Sequence, residues 1–429
     1  MREEFQPVKG TRDFLPEDKI IRQRIVDTLR EVFETFGFSP LETPSLERWE
    51  ILSRKYAGGE EILKETYRLK DQGGRELGLR YDLTVPFCRV IAANPEIPKP
   101  FKRYQIGRVW RDGPIKLGRY REFWQCDVDV AGSSSMMADA EFLKMIDVVA
   151  EKFGINADIR VSNRKLLNSI LDYAGVQEEK RLSVTLSIDK LEKIGRDGVV
   201  EELISKGIDE ESVKKIIELI SINGTNDEIL KIFKGIKEAR EGVEELDELI
   251  KYTKILGLKN VRIVPSLARG LAYYTGTIFE AFIKNSNITS SFAGGGRYDD
   301  LIGKFTGVDK IPAVGVSFGL DVLSDALKEK MERNKTVVSV FVIPINTKEK
   351  SMEIVSMLRD AGINSDVDTI GRSLSKNLNY VNSLNIPYCL IVGKREIDED
   401  SVKLRDMNTG EEKLINIRDV AKEVKKLID

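Results

Sequence analysis

The sequence predicts an α+β protein: an antiparallel sheet, interrupted by a helical insertion and followed by a C-terminal α/β domain. Three observations carry that expectation. Residues 101–130 read as two long strands around a short loop with Asp112-Gly113-Pro114 and Gly118 at its turn, the hairpin arrangement of an antiparallel sheet. Residues 164–252 are rich in Lys, Glu, Ile and Leu, read as helices, and are broken at Gly175, Gly195, Gly207 and Gly224. From residue 337 onward strands and helices alternate, the pattern of a parallel or mixed sheet with right-handed crossovers. A chain of 429 residues suits two to three domains. The boundaries expected are residues 1–163 with 253–330 for the sheet domain, 164–252 for the insertion and 336–429 for the C-terminal domain.

Taken in order, Gly10-Thr11-Arg12-Asp13-Phe14-Leu15-Pro16 reads as a turn into a helix at residues 17–36. There Ile21, Ile25, Leu29, Val32 and Phe36 repeat at helical spacing, and Gly37 ends the run. A strand follows at residues 38–44. Residues 67–70 and 76–81 read as a hairpin about Asp71-Gln72-Gly73-Gly74. Its second strand runs into Asp82-Leu83-Thr84-Val85-Pro86. Asp82 and Thr84 share a face there and could offer one site a carboxylate and a hydroxyl. Either could equally cap a helix whose first turn holds Pro86. A helix at residues 137–153 and a strand at 157–161 precede the insertion.

After the insertion, residues 261–265 and 271–282 read as strands, with Arg269 in the loop between them beside Gly270. Tyr273 and Tyr274 should then point to opposite faces, so that at most one faces a ligand. Gly294-Gly295-Gly296 is expected to be a tight turn allowing close approach to a ligand. It is not a phosphate loop, because Gly303-Lys304 is followed by Phe305 and lacks that motif's first glycine. Residues 312–327 read as strand, turn and helix. Beyond a charged linker at 328–335, strands are expected at 337–343, 363–367 and 388–392, helices at 348–361 and 374–384, and a hairpin at 401–405 and 412–415 before the last helix.

Charge and composition narrow the chemistry. Lys102, Arg103, Arg108, Arg111, Lys116, Arg119 and Arg121 stand against Asp112 as the only acid between them, a local cationic field in a chain of net charge −2. A planar guanidinium grips two oxygens at once, which suits phosphate. Residues two apart share a strand face, so Arg119, Arg121, Phe123, Gln125, Asp127 and Asp129 point one way. Cations, a ring, an amide and carboxylates in that order could hold a triphosphate, a flat base and a small cationic or hydrogen-bonding ligand. A solvated ribbon with ordinary surface charge would carry the same residues.

Histidine is absent. That removes Ser-His-Asp and Cys-His catalysis and histidine metal sites together. Positioning, arginines, carboxylates and a hard cation remain, and phosphoryl-type transfer can run on those. Cys88, Cys126 and Cys389 are far apart and form no C-x-x-C, so neither a disulfide framework nor a zinc site is expected. No run approaches the ~20 apolar residues of a membrane span. The opening MREEFQPVKG carries no apolar signal region, and a cytoplasmic location is expected.

Residues 101–130 resemble motif 2 of the class II aminoacyl-tRNA synthetases, in the form found in histidyl-tRNA synthetases of the archaeal and eukaryotic type. Leu267-Ala268-Arg269-Gly270-Leu271-Ala272-Tyr273-Tyr274-Thr275-Gly276 and Ala293-Gly294-Gly295-Gly296-Arg297-Tyr298-Asp299-Asp300-Leu301 resemble signature segments of that family. The resemblance runs from about Gly10 to the C-terminus. The helix and strand ending at Pro44 are similar to motif 1, which implies a homodimer; the amphipathic pattern alone would suit an internal helix. Residues 312–327 are similar to motif 3. The resemblance therefore implies an antiparallel-sheet class II synthetase catalytic core with a helical insertion that touches the tRNA acceptor stem. It also implies a C-terminal α/β anticodon-binding domain, where Arg372, Lys376, Lys394 and Arg395 could meet phosphate.

The reaction so implied is ATP-dependent ligation of L-histidine to histidine tRNA through a histidyl-adenylate, by a homodimer that needs no membrane. Mg²⁺ would accompany ATP, with its protein ligands unassigned. By resemblance Arg111 holds the α-phosphate, Phe123 stacks on adenine, Arg121 neutralises the phosphates, and Arg269 stabilises charge as the carboxylate attacks phosphorus. Asp82, Thr84 and Gln125 would hold the α-ammonium, while Asp129 and Tyr273, with Tyr274 in the same amino-acid site, would read the imidazole. The chain departs from the family at Val322, where an arginine usually helps hold the ATP tail. It also departs at Ala272, where an aspartate is common, and at Gly113, where many class II enzymes carry a glutamate that contacts adenine. Two other functions stay open on sequence: a non-catalytic paralogue serving as regulatory subunit of ATP phosphoribosyltransferase, and an RNA-binding module without ATP chemistry.

Overall fold

The computed structural model describes residues 5–54, 63–115, 120–269, 273–307, 310–328, 331 and 334–428. The chain forms two compact units, residues 1–13 with 24–327 and residues 14–23 with 328–429. The first unit contains strands β1 (Ser39–Pro40), β2 (Leu46–Arg48), β3 (Arg68–Lys70), β4 (Glu76–Leu79), β5 (Phe101–Trp110), β6 (Glu122–Ala131), β7 (Ala157–Asn163), β8 (Val261–Ile263), β9 (Thr277–Ile283), β10 (Ala293–Arg297) and β11 (Ala313–Gly319). Eight of them form one sheet in the order β1-β5-β6-β11-β10-β9-β7-β8. Every pair from β5 to β7 is antiparallel, and only the two edge pairs are parallel. β2, β4 and β3 make a small antiparallel sheet of their own.

The two-residue period of β6 decides which face of the large sheet is core. Cys126 and Val128 are buried and stand level with Phe318 and Val316 of β11. That face is covered by helices. Phe33, from the helix Pro16–Thr35, packs its ring 5.6 Å from both Tyr104 and Phe318. Phe142, from the helix Met136–Lys152, lies 6.4 Å from Phe279. The intervening residues Gln125, Asp127 and Asp129 stand opposite Gly319, Ser317 and Gly315 and so occupy the other face.

The insertion is helical as expected, with helices Arg164–Tyr173, Glu178–Ile188, Leu191–Ser205, Glu210–Ile220, Asn226–Lys234 and Arg240–Ile255. Their starts follow from the sequence. Asn163 accepts from Lys165 N–H, Asp209 from Ser212 N–H, and Thr225 forms a reciprocal capping box with Glu228. Each such cap is worth about 1 kcal/mol. Gly195, at φ 72°, breaks the run Leu191–Ser205.

Three sequence expectations change here. The strand expected at 38–44 pairs only over Ser39–Pro40, and the one expected at 271–282 begins only at Thr277. The three glycines 294–296 are not a turn: they form the middle of β10, paired on one side with β9 and on the other with β11. Ala272, Lys116, Gly118 and Arg119 lie outside the described residues.

The second unit holds a five-stranded sheet in the order β13-β12-β14-β15-β16, with β12 Val340–Ile345, β13 Ser365–Val367, β14 Tyr388–Gly393, β15 Ser401–Asp406 and β16 Glu412–Asn416. β13, β12 and β14 run parallel, and β15 and β16 close the edge antiparallel. Val340, Val342, Leu390 and Val392 enter a core with Ile354 and Val424, while Phe341, Ile343, Cys389 and Ile391 enter another with Val381. Burial on both faces is why these strands read as unbroken apolar runs.

Candidate active site

The polar face of the large sheet lines a cavity of about 590 Å³. Its floor is β6 with Phe123, Gln125, Asp127 and Asp129, beside residues 315–319 of β11 and 294–296 of β10. Its rim carries Asp82 and Thr84, Arg111, Arg269, Tyr273 and Tyr274. Glycine is required on this floor. A Cβ at Gly294 would collide with the guanidinium of Arg269, and one at Gly315 with the carboxylate of Asp129. The glycines therefore serve close approach of side chains over a flat strand, not a turn.

At one end lie three carboxylates. Asp82 accepts the N–H of Val85 at 2.9 Å, in the first turn of the helix Thr84–Ala93, and also faces the cavity; capping and lining coexist. Asp129 is 3% exposed. It pairs with Nη2 of Arg103 at 2.7 Å and accepts the hydroxyl of Tyr298. Arg103 is fully buried beneath the floor, where it also donates to the carbonyl of Leu83 at 3.1 Å and lies over the ring of Phe87. Between them, Asp127 is 3% exposed, and burial pushes its carboxyl up to about 7; Arg103 opposes that rise, while the neighbouring Asp129 and Asp82 add to it. The phenols of Tyr273 and Tyr298 are pushed well above their ordinary range, chiefly by burial, so both stay neutral donors.

At the other end Arg111 donates Nε–H to the carbonyl of Tyr81 at 3.1 Å, with its guanidinium 5.0 Å over the ring of Phe123. Arg269 is held at φ 40°, in the left-handed region that a side chain rarely occupies. Its Nε stands 3.5 Å from Glu280 of β9, and its guanidinium 5.8 Å over Tyr274. Burial works to lower the Arg269 pKa, but Tyr274 and Glu280 outweigh it and the net shift is upward. Among the buried polar atoms of this cavity, Gln125 Oε1, Asp127 Oδ1 and Arg269 Nη1 have no hydrogen-bond partner among the described residues. Native interiors rarely leave such atoms alone, and in a cavity a ligand is the natural partner.

Residues 10–323 match the family described as Histidyl-tRNA synthetase, and residues 339–427 the one described as Anticodon binding domain. The chain belongs to the histidyl-tRNA synthetase family. It is 46% identical over 414 residues to a protein of Bacillus anthracis named Histidine--tRNA ligase 1, covering 95% of this chain and 97% of that protein. Its structure is similar to the crystal structure of histidyl-tRNA synthetase from Nostoc sp. PCC 7120, with a TM-score of 0.87 at 32% identity, covering 98% of this chain and 99% of that one. A Bacillus halodurans structure described as an ATP phosphoribosyltransferase regulatory subunit/histidyl-tRNA synthetase has a TM-score of 0.77 at 20% identity, covering 92% of this chain and 99% of that one; it shares the fold.

In this histidyl-tRNA synthetase-family chain the cavity brings together Asp82, Thr84, Arg111, Phe123, Gln125, Asp129, Arg269, Tyr273 and Tyr274. The two tyrosines do not diverge as expected. They precede β9 instead of lying in it, and their rings sit 4.7 Å apart on the same cavity wall. Arg121 lies outside the lining: it follows the loop, donates its backbone N–H to Gly10 at 2.9 Å and pairs with Asp112 at 3.1 Å. Val322 lines the cavity beside Asp321, and Asp321 holds Arg12 at 2.8 Å, with Arg12 lying over Tyr120.

The sequence reading assigned no individual site role to Arg103, Tyr298, Glu280, Asp189 or Arg12. Arg103 had a signal, because the hairpin register sets it opposite Asp129. Glu280 had one too, being level with Gly294 on β9. Asp189 closes the helix Glu178–Ile188 in the insertion and reaches the cavity by tertiary packing alone; burial raises its pKa against the pull of Arg269 and Arg164. Among the described residues no helix is long and apolar enough to cross a membrane, and no group of three or more carboxylates or thiols could hold a metal.

Proposed function

We propose that this chain ligates L-histidine to histidine tRNA in two steps within this one cavity. The amino acid enters with its α-ammonium toward Asp82, Thr84 and Gln125 and its imidazole toward Asp129 and Tyr273. ATP lies across the other end, with adenine on Phe123 and the α-phosphate at Arg111. The histidine carboxylate oxygen attacks the α-phosphorus, the bond to pyrophosphate breaks, and histidyl-adenylate forms. Arg269 stabilises the charge that builds on phosphorus, and its half-buried setting strengthens that effect. The 3′-terminal ribose hydroxyl of the tRNA then attacks the carbonyl carbon and AMP leaves.

The observation that carries this reading is the opposition along β6, within one cavity, of Arg111 and Phe123 at one end and Asp127 and Asp129 at the other. A site that pairs a ring N–H with a carboxylate rejects analogues lacking that group, because they leave buried polar groups unsatisfied. Mg²⁺ travels on nucleotide phosphates with few protein ligands, and Glu280, the half-buried carboxylate beside Arg269, fits that role. The ion would supply positive charge to the phosphates.

We further read residues 1–163 with 253–330 as the catalytic domain, 164–252 as an insertion for the acceptor stem, and 336–429 as the anticodon-binding domain. The working form is a cytoplasmic homodimer, and sedimentation of the full chain tests its dimeric state. The relatives that share close to half of the sequence are named as ligases, which disfavours the regulatory-subunit reading. ATP–pyrophosphate exchange, run with each amino acid in turn with Mg²⁺ and without tRNA, tests the reaction. Exchange with histidine alone is expected. No exchange with any amino acid from folded protein would return the weight to a non-catalytic role.

A further inference from the structure

Three carboxylates share the acidic end of the cavity. Asp82, Asp127 and Asp129 all face it, and the guanidinium beneath them belongs to Arg103. Of that guanidinium, Nη2 serves Asp129 and the carbonyl of Leu83, Nη1 reaches only the backbone carbonyl of Asp127, at 3.5 Å, and Nε has no hydrogen-bond partner among the described residues. Arg80, another cation that feels the charge of Asp127, donates to the carbonyls of Thr43 at 2.5 Å and Arg108 at 3.0 Å. From β11, opposite Asp127, comes only the hydroxyl of Ser317. Two acceptors two residues apart on one strand face, Gln125 Oε1 and Asp127 Oδ1, therefore lack donors among the described residues. A ligand that satisfies both must bring positive charge and more than one N–H. The α-ammonium is the group of an amino acid that does so at neutral pH.

We propose that Asp127 is a further substrate-binding residue, which takes the α-ammonium of the incoming amino acid together with Gln125 and Asp82. The assignment rests on the reading of the cavity as the histidine site. It also makes a pH statement. Burial, with Asp129 and Asp82 beside it, outweighs the pull of Arg103 and the hydroxyl of Ser317, while Arg80 donates to backbone carbonyls, and the Asp127 carboxyl is pushed up to about 7. An arriving ammonium lowers that value, so binding releases a proton, and affinity falls as the pH drops below about 7.

The test is calorimetric titration of the full chain with three ligands: L-histidine, histamine, which keeps the ammonium without the carboxylate, and imidazolepropionate, which keeps the carboxylate without the ammonium. Asp127→Asn is expected to weaken histidine and histamine by roughly ten- to hundredfold, while imidazolepropionate and the KM for ATP stay as in wild type. Equal loss for all three ligands, or no loss for any, overturns the assignment. Should the variant not fold, the wild-type chain decides it. Triazolylalanine, whose ring does not titrate near neutrality, is titrated in buffers of different ionisation enthalpy near pH 7. Proton release supports the assignment, and its absence overturns it. A wild-type chain that binds no histidine overturns instead the reading on which the assignment rests.

Discussion

Arg269 is the residue on which the proposed chemistry leans most, and its backbone shows the constraint. At φ 40°, over a strand with no Cβ at Gly294, it reaches a position that an unstrained loop would not give it. Arg269→Ala is expected to lower pyrophosphate exchange by roughly 10²–10³-fold while histidine affinity stays within a few-fold; loss of affinity in step with turnover would remove it from the transition state. Arg12 belongs to the same scale. Asp321 fixes it beside Val322, so a cation stands at a cavity edge that the residue at 322 leaves apolar. Arg12→Ala should raise the KM for ATP by roughly tenfold without moving that for histidine, as steady-state exchange kinetics would report. Residues on a strand with a fixed period, Gln125 and Asp129 among them, were legible because alternation alone assigns their face. Arg12 and Asp189 were not, since nothing local in a sequence announces a contact 309 residues away or the reach of a helix end into a sheet.

At the scale of elements, the long apolar or alternating stretches were readable and the short ones were not. β5, β6, β11 and the strands of the second unit emerge from their periodicity. β10 did not, because three glycines carry no hydrophobic pattern and read as a turn until strands are found on both sides. β7 and β8 illustrate how a pair is held where pattern is weak. Their parallel register sets Arg160 directly beside Arg262, a repulsive placement, and Asp158 accepts from both, at 2.8 Å from Arg160 and 2.7 Å from Arg262. Burial would raise the Asp158 pKa, but the hydrogen bonds from Arg262 and Arg160 outweigh it and bring it to about 2. A depressed carboxylate contributes stability that is present above its unfolded value of about 4 and is lost as the pH falls toward about 2. Asp158→Asn should therefore destabilise the protein at neutral pH and flatten the acid limb of its unfolding curve; an unchanged acid slope would show that the carboxylate carries no such linkage.

For the whole molecule, the net charge of −2 means that tRNA must be met by local basic fields, not by an overall attraction. Histidylation of tRNA should then fall steeply between about 50 and 200 mM salt, while pyrophosphate exchange, whose ligands are small and enter the cavity, changes little; parallel decline would contradict that division. Each unit has its own pattern in the sequence, helix-interrupted antiparallel sheet in one and alternating strand and helix in the other. The centre of the catalytic sheet is also its latest join. Gln125 and Ser317 touch across β6 and β11 but lie 192 residues apart in the chain. On a ribosome adding about 5–20 residues per second, β6 waits roughly 10–40 s for its partner. During that interval an inner strand is an open edge, so the nascent chain passes through a window in which it is exposed to wrong pairing, and the helical insertion at residues 164–252 makes up nearly half of that window.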